Sequence, residues 1–333
     1  MLHHALCAVT AASRLTQAVR EKFVKGSEII KADMSPVTVG DFGVQALISL
    51  FLMETGQGSA LRLVAEEDPG TLQRDPQVLR IVTELVNRYY PLPGRAFTGD
   101  QVIDALSRGA DAGGARGAFW MLDPIDGTKG FVRGGQYAVG LGRIEAGALR
   151  LAAIACPSLP PLGHDPVHDV SGPGYVFGAC EGWAGMAEIR AARHVTPDQP
   201  ASRWRQHVLA PLAPRACTEL VTTESFERPC CGLYPCLAHA RRCAIDSMAK
   251  YCVVARGDCA IYVRKSARGH ENIWDHAAAL VVTAAGGRVT DFTGAPLCFG
   301  RGRALAGNVG VVASGPGWGA LHDTLLDEMR AQE

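Results

Sequence analysis

The chain has 333 residues, of which 47% are hydrophobic and 20% charged, and its 33 acidic residues balance 33 basic ones. A net charge of zero argues against a protein that binds nucleic-acid polymers, which usually carries a basic excess, and no apolar run approaches a membrane span. We therefore expect a soluble globular protein, long enough for one large domain or two packed ones, with no membrane partner.

Eleven cysteines are scattered along the chain without the spacing of a disulfide framework. This usage predicts thiols in a reducing compartment, either cytoplasmic or, after removal of a transit peptide, organellar. Cys156 and Cys180 flank the loop that follows a predicted hairpin. They are either a redox pair or two ordinary thiols, and the sequence leaves both readings open.

The N-terminal half is predicted to hold two amphipathic helices followed by strands. Thr38 and Asp41 have the spacing of a capping box that opens the second helix. Residues 61–65 form a short apolar strand, and residues 118–122 form another that ends on Asp123. Each strand therefore brings acidic residues to its end.

Beyond these strands the pattern becomes a regular alternation of strands and helices. Residues 137–144 and 148–155 predict a hairpin, and a Pro- and Gly-rich stretch follows it. This order predicts a layered α+β or α/β fold. We expect an N-terminal α+β domain over 1–156 with most metal ligands and a C-terminal α/β domain over 157–333 that completes the site.

Acidic residues in four separated segments stand at predicted strand ends or helix starts. They are Asp41, Glu66 with Glu67, Asp123 with Asp126, and Asp275. Such edges are where side chains converge on a cleft beside a sheet. Magnesium prefers carboxylate, carbonyl and water oxygens, so the set predicts a magnesium site.

The segment from Asp123 to Thr128 has the residue types that such a site needs. Pro124 directs the chain after the strand, which lets both aspartates project to one side and leaves the Ile125 carbonyl outside a strand ladder. Gly127 permits an unusual turn that can present backbone N–H groups to a phosphate. Taken alone, the spacing also fits a calcium loop or a plain Asx-turn.

Two motifs in this order carry a family resemblance. Residues 120–128, Trp-Met-Leu-Asp-Pro-Ile-Asp-Gly-Thr, resemble the defining motif of the inositol monophosphatase superfamily of lithium-sensitive, magnesium-dependent phosphatases. Residues 273–279, Ile-Trp-Asp-His-Ala-Ala-Ala, resemble its second motif, which Ala-Gly-Gly at 285–287 follows. Within that superfamily, Gly-Thr-Lys-Gly-Phe at 127–131 and the segment 35–41 are similar to the 3'(2'),5'-bisphosphate nucleotidases.

The resemblance implies a fold and an activity. The fold would be the layered α-β-α-β-α sandwich of the inositol monophosphatase and sugar phosphatase type, as a monomer or weak homodimer. The activity would be hydrolysis of the 3'-phosphate of adenosine 3',5'-bisphosphate to give AMP, within sulfur and nucleotide metabolism, and extend to 3'-phosphoadenylyl sulfate. An inositol polyphosphate 1-phosphatase, an inositol monophosphatase and a non-catalytic nucleotide sensor are the alternatives.

The resemblance also implies two or three magnesium ions in the active site. Glu66, Asp123 and the Ile125 carbonyl would hold the first ion, and a third would share Glu66. Asp123, Asp126 and Asp275 would hold the second. The implied catalytic pair, which orients and deprotonates the attacking water, is Asp41 with Thr128.

The residues implied to bind the substrate come from both halves of the chain. They are Gly127, Thr128, Ser247, Lys250, Arg264 and Asp275, with Arg264 assigned to the 5'-phosphate as a bidentate fork. The sequence departs from the family at one place. Cys230 stands near the position where the family often has a histidine that approaches the base, so base recognition is left open.

Overall fold

Two β-sheets and the helices that cover them account for the described part of the chain. The computed structural model describes residues 1–24, 36–192, 210–212, 221–224, 231–265 and 271–332. Its α-helices are α1 (Leu2–Val24), α2 (Pro36–Leu52), α3 (Gly70–Arg74), α4 (Pro76–Tyr89), α5 (Gly99–Ser107), α6 (Thr128–Arg133), α7 (Ile189–Ala192), α8 (Ala249–Arg256), α9 (Ala279–Ala284) and α10 (Gly319–Arg330). None of these helices is both long enough and apolar enough to cross a membrane.

The strands form one large and one smaller sheet. They are β1 (Leu63–Ala65), β2 (Ala118–Asp126), β3 (Ala138–Glu145), β4 (Ala148–Cys156), β5 (Tyr175–Cys180), β6 (Trp183–Glu188), β7 (Ala210–Pro211), β8 (Val221–Glu224), β9 (Arg241–Ala244), β10 (Ile261–Arg264), β11 (Arg288–Thr290) and β12 (Val311–Ser314). The first sheet has the order β1-β2-β3-β4-β5-β6-β7 and the second β11-β12-β10-β8-β9. In the first sheet only the β1–β2 pair is parallel.

Alternating side chains on β2 show how the layers form. Trp120 and Leu122 enter the core beneath α1, α2, α4 and α5, whereas Phe119 and Met121 enter the core shared with α8 and α9. Successive strand residues point to opposite faces, so β2 needs a cover on both. The second sheet then packs its outer face on α10. The order helix, sheet, helix, sheet, helix confirms the predicted α-β-α-β-α sandwich.

The structure corrects several predicted boundaries. Helix α2 begins at Pro36, so Thr38 and Asp41 lie inside the helix and the predicted capping box is wrong. Strand β2 does not end at Asp123 but continues to Asp126. The helix predicted to begin near Asp275 is divided into a 3₁₀ turn (Ile273–His276) and α9.

Of the two readings left open for Cys156 and Cys180, the redox pair is wrong and the alternative of two ordinary thiols agrees with the structure. Cys156 lies opposite Tyr175 and Cys180 lies opposite Leu151, which places the two cysteines at opposite ends of one strand pair, about 17 Å apart at roughly 3.3 Å per residue. A disulfide requires Cα atoms closer than about 7 Å. Cys156 instead lies beside the buried thiol of Cys252 on α8, whose pKa is raised well above its usual value by burial and then by Cys156.

The first sheet also bears on the predicted domain division. Its strands β5, β6 and β7 all follow Cys156, so the large sheet draws on both sides of the boundary proposed at 156. The division into 1–156 and 157–333 stays a prediction.

Candidate active site

A β-bulge at the end of β2 shapes the centre of the site. Asp123 lies opposite Gly140 and Asp126 opposite Ala138, so Pro124 and Ile125 together face a single residue of β3. An extra residue in one strand is left unpaired and bends that strand. The Ile125 carbonyl accepts a hydrogen bond from the Thr128 hydroxyl at 3.3 Å.

Helix α2 approaches this bulge closely and brings Asp41 to it. Gly40 makes the approach possible, because a Cβ there would lie 2.7 Å from Cδ1 of Ile125. Asp41 is buried, and burial followed by the charges of Glu67 and Glu66 raises its pKa well above the usual value. The structure therefore joins Asp41 to the acidic cluster, while the Thr128 hydroxyl is bonded to Ile125 and not to Asp41.

The end of β1 delivers Glu66 and Glu67, as the sequence predicts. The buried Gln45, one turn after Asp41 on α2, hydrogen-bonds to both the carbonyl and the N–H of Glu67. Its amide nitrogen donates to the Glu67 carbonyl at 2.8 Å, and its amide oxygen accepts from the Glu67 N–H at 3.0 Å. Gln45 was not among the predicted site residues, because nothing in the sequence shows that α2 faces this strand end.

Asp123 lies at the centre of a group of buried carboxyl side chains. Its side chain is 3% exposed, and burial followed by the charges of Asp126, Glu66, Asp275 and Asp41 raises its pKa well above the usual value. Its Oδ1 atom is buried and has no hydrogen-bond partner among the described residues. A buried carboxylate oxygen of this kind requires a proton or a cation.

The start of α8 places backbone and cationic groups beside Asp126. The Met248 N–H donates to Asp126 Oδ2, while Ser247 adopts a left-handed conformation with φ of 73°. Lys250 is buried and donates from Nζ to the Ile245 carbonyl at 3.1 Å. Burial lowers the pKa of Lys250 to about 8, although the negative charge of Asp126 opposes this shift. The predicted residues Ser247 and Lys250 therefore lie at the site.

Arg264 joins the site through two carboxylates. Its Nη2 atom donates to Asp275 Oδ2 at 3.1 Å and forms an ion pair with Glu271. Burial, and then the negative charge of Asp126, raises the pKa of Asp275 to about 7, although Arg264 opposes this shift. Glu271 was not predicted, although an acidic residue four positions before Asp275 was an available signal.

His276 is a third site residue that the sequence reasoning missed, after Gln45 and Glu271. Within the described residues, Glu271, Asp275 and His276 offer ligand atoms that all lie within 4.8 Å of one another. The hydroxyl of Tyr251 lies 2.6 Å from His276 Nδ1, and burial, with the charges of Arg264 and Lys250, holds the pKa of His276 well below its usual value. Arg264 contacts the carboxylates of Glu271 and Asp275, so its positive charge already balances this side of the site.

The opposite side of the site offers the kinds of donor that a divalent metal prefers. Glu66, Asp123 and Asp126 offer hard oxygen donors, and the bulge adds the carbonyl of Ile125. The unpartnered Oδ1 of Asp123 shows that hydrogen bonds do not satisfy this oxygen. Carboxylate, carbonyl and water oxygens are the donors that magnesium prefers.

The left-handed conformation of Gly127 gives the first testable prediction. Gly127 has a φ of 83°, and a Cβ there would lie 2.8 Å from the Cβ of Ser247. Gly127→Ala is therefore expected to lower the free energy of unfolding by about 1–3 kcal/mol, from strain and overpacking. Urea denaturation would measure it. Gly134→Ala, also left-handed at φ 78° but with open space around its Cβ, is the control for conformational strain alone; equal losses in both variants would contradict the contact with Ser247.

Some predicted features lie outside the described residues. Cys230, with the neighbouring stretch 225–229, and Ser35 belong to segments that the structure does not describe. Base recognition near Cys230 therefore stays open.

Comparisons with known proteins agree with this geometry. The chain matches the model of the inositol monophosphatase family over residues 33–332. It is 39% identical over 322 residues to a protein of Oryza sativa named 3'(2'),5'-bisphosphate nucleotidase, covering 92% of this chain and 88% of the relative. A protein of the same name from Emericella nidulans is 37% identical over 333 residues, with 92% of each chain covered.

Solved structures show the same fold at lower identity. CysQ from Bacteroides thetaiotaomicron, a bacterial member of the inositol monophosphatase family, superposes with a TM-score of 0.60 at 16% identity, covering 95% of this chain and 97% of that one. Mycobacterium tuberculosis SuhB gives a TM-score of 0.54 at 20% identity, covering 99% of this chain and 96% of that one.

Proposed function

The chain belongs to the inositol monophosphatase family, and from that premise we propose that it is a magnesium-dependent phosphatase that converts adenosine 3',5'-bisphosphate to AMP and phosphate. The observation that carries the proposal is the convergence of carboxylates from α2, β1, the β2 bulge and the 3₁₀ turn around the unpartnered Oδ1 of Asp123. The nucleotide as substrate is supported by the names of the relatives with 37–39% identity.

The proposed metal ligands divide into two sets that share Asp123. Glu66, Asp123 and the carbonyl of Ile125 would hold one magnesium ion, and a third ion would share Glu66. Asp123, Asp126 and Asp275 would hold the second. When bound, magnesium supplies positive charge that polarises the phosphate and makes water more acidic. Lithium sensitivity belongs to the same proposal, because lithium would compete for one of these positions.

The chain's own groups would orient the attacking water. Asp41 lies buried beside Glu66 and Glu67, where burial raises its pKa, and a carboxylate with a raised pKa is a better proton acceptor near neutral pH. Asp41 would accept the proton of the water, and Thr128 would rotate its hydroxyl from the Ile125 carbonyl to help hold it. Displacement at phosphorus then depends on positioning and on charge neutralisation.

Two cationic side chains support a substrate with two phosphates. Lys250 lies beside Asp126, and Arg264 lies beside Asp275. With magnesium neutralising the carboxylates, both cations become available to phosphate oxygens, Arg264 as a planar fork for the 5'-phosphate. Gly127, Thr128 and Ser247 would contact the 3'-phosphate and the ribose. The sulfated parent, 3'-phosphoadenylyl sulfate, carries the same 3'-phosphate and is a proposed second substrate.

A phosphate-release panel tests this assignment. With magnesium, kcat/KM for adenosine 3',5'-bisphosphate is expected to exceed that for inositol 1-phosphate at least about tenfold, because one charge-assisted hydrogen bond contributes roughly 1.5–3 kcal/mol. Arg264→Leu should lower kcat/KM for adenosine 3',5'-bisphosphate more than it lowers kcat/KM for inositol 1-phosphate, so the preference for the nucleotide should shrink. Arg150→Leu, which alters an exposed ion pair with Glu181, is the matched control.

Two results of the panel would contradict the proposal. A preference for inositol 1-phosphate would favour the inositol phosphatase alternative. Tight nucleotide binding without phosphate release, in magnesium-saturated protein, would favour the nucleotide sensor.

A further inference from the structure

Arg303 links the two halves of the candidate active site, although no motif drew attention to it. Its half-buried guanidinium donates through Nη1 to the carbonyls of Gly109 at 2.9 Å and Asp111 at 3.1 Å, and through Nη2 to the carbonyl of Ala65. Ala65 is the last residue of β1 and immediately precedes Glu66. The side chain of Arg303 therefore holds the strand end that delivers Glu66.

The other face of the same guanidinium contacts the Asp275 segment. The Arg303 guanidinium carbon lies 5.0 Å from the ring centroid of Trp274, which directly precedes Asp275. A guanidinium that donates in its plane to carbonyls can stack its face on an aromatic ring at the same time. A lysine ammonium lacks this plane and cannot reproduce both contacts.

Backbone pairing fixes the position of the Arg303 main chain. The Ile273 N–H donates to the Arg303 carbonyl at 3.1 Å, and the Leu305 N–H donates to the Glu271 carbonyl at 2.8 Å. Asn272 and Ala304 form an antiparallel bridge between these bonds. We call this pairing of 303–305 with 271–273 the strap. The strap holds the Arg303 backbone against the segment that contains Asp275. The Arg303 side chain then spans the distance from that segment to the end of β1.

Resting on the proposed function, we infer that Arg303 is a positioning residue that fixes the Glu66 strand end relative to Asp275 for metal binding. Gln45 hydrogen-bonds to the backbone of the following residue, Glu67, so the backbone is held by a side chain on each side of Glu66 in the sequence. A metal site that takes ligands from both halves of the chain needs this separation to be set before the ion arrives. The residues that orient metal ligands typically change metal affinity by about 10–100-fold when they are replaced.

Direct metal binding without substrate is the test. We expect Arg303→Met to raise the dissociation constant for Mn²⁺, measured by electron paramagnetic resonance as a probe for Mg²⁺, by about 10–100-fold. Arg303→Lys should fall between this variant and the native protein. Arg301→Met, in the same loop but at an exposed position, is the control and should bind Mn²⁺ within about twofold of the native protein by the same criterion.

A double-mutant cycle separates positioning from general loosening of the fold. In a Glu66→Gln background, the Arg303→Met effect should shrink to less than about threefold, because residues that act through one ligand are not additive. An undiminished effect there, or native Mn²⁺ affinity in Arg303→Met, overturns the inference. If Arg303→Met fails to fold, Arg303→Lys replaces it in the Mn²⁺-binding measurement and in the double-mutant cycle.

The outcome for the native protein distinguishes the two proposals. Native protein that binds no Mn²⁺ overturns the proposed function and this inference together. Native protein that binds Mn²⁺ and releases phosphate, with Arg303 variants that bind Mn²⁺ equally well, overturns the role of Arg303 alone.

Discussion

Asp123→Asn is expected to lower kcat/KM for phosphate release at least about 1000-fold, because loss of the shared metal ligand removes several kcal/mol of charge stabilisation. The same change should make the metal-free protein more stable. Asp123 is 3% exposed, its Oδ1 has no hydrogen-bond partner among the described residues, and four acidic neighbours raise its pKa. Asparagine keeps the size of the side chain and is neutral, whereas the metal-free aspartate must either bear an unpaired buried charge or take up a proton, and both lower stability near neutral pH.

Two measurements on one variant check this prediction. Phosphate release reports the loss of activity, and thermal melts with EDTA and with magnesium report stability. We expect a higher melting temperature than the native protein in EDTA and no further gain with magnesium. Asp100→Asn, at an exposed position in the first turn of α5, is the control. Native turnover in Asp123→Asn would show that the site is wrongly assigned.

The metal-free protein should become less stable as pH rises from about 4 to about 7. The pKa values of Asp275 and Glu67 are both raised to about 7, from ordinary values of 3.8 and 4.5, with burial as the first cause. The folded state therefore holds these protons more tightly than the unfolded state does. The resulting stability is fully present below the ordinary pKa and is lost as pH rises through the folded one. Asp275 alone would contribute at most about 4 kcal/mol.

Urea denaturation across this pH range, with EDTA or with saturating magnesium, measures the effect. Magnesium should flatten or reverse the slope, because a bound cation favours the ionised carboxylates. Asp275→Asn should weaken the pH dependence in EDTA. A free energy of unfolding that is constant or increases from pH 4 to 7 in EDTA would contradict the prediction.

Features that are determined within a short segment of the chain could be predicted from the sequence. Asp123, Ile125 and Asp126 lie together because a proline, a bulge and a glycine act within six residues, so the two carboxylates and the Ile125 carbonyl could be grouped before any fold was known. The layered architecture followed from strand and helix periodicity in the same way. The predicted strand was nevertheless too short, since β2 continues through the bulge to Asp126.

Two of the missed features, Gln45 and Arg303, depend on contacts between distant segments, whereas Glu271 and His276 stand within four residues of Asp275 in the sequence. Gln45 hydrogen-bonds to Glu67, 22 positions away in the sequence, and Arg303 hydrogen-bonds to Ala65, 238 positions away. Neither contact has a local sequence signature. Cys156 lies against Cys252, because strand register and the packing of α8 decide its neighbour. From the sequence, Cys180 was only one of two open readings, because the two cysteines flank the loop after the predicted hairpin. A single sequence contains no direct signal for pairs of this kind.

The strap has a consequence for synthesis of the protein. It joins 271–273 to 303–305, so Asp275 and Arg303 leave the ribosome after Asp41, Glu66 and Asp123. Domains form as their segments emerge, from the N-terminus onward. A nascent chain that already displays Asp41, Glu66 and Asp123 therefore still lacks Asp275 and Arg303, and the proposed metal site can be completed only after both segments of the strap have emerged.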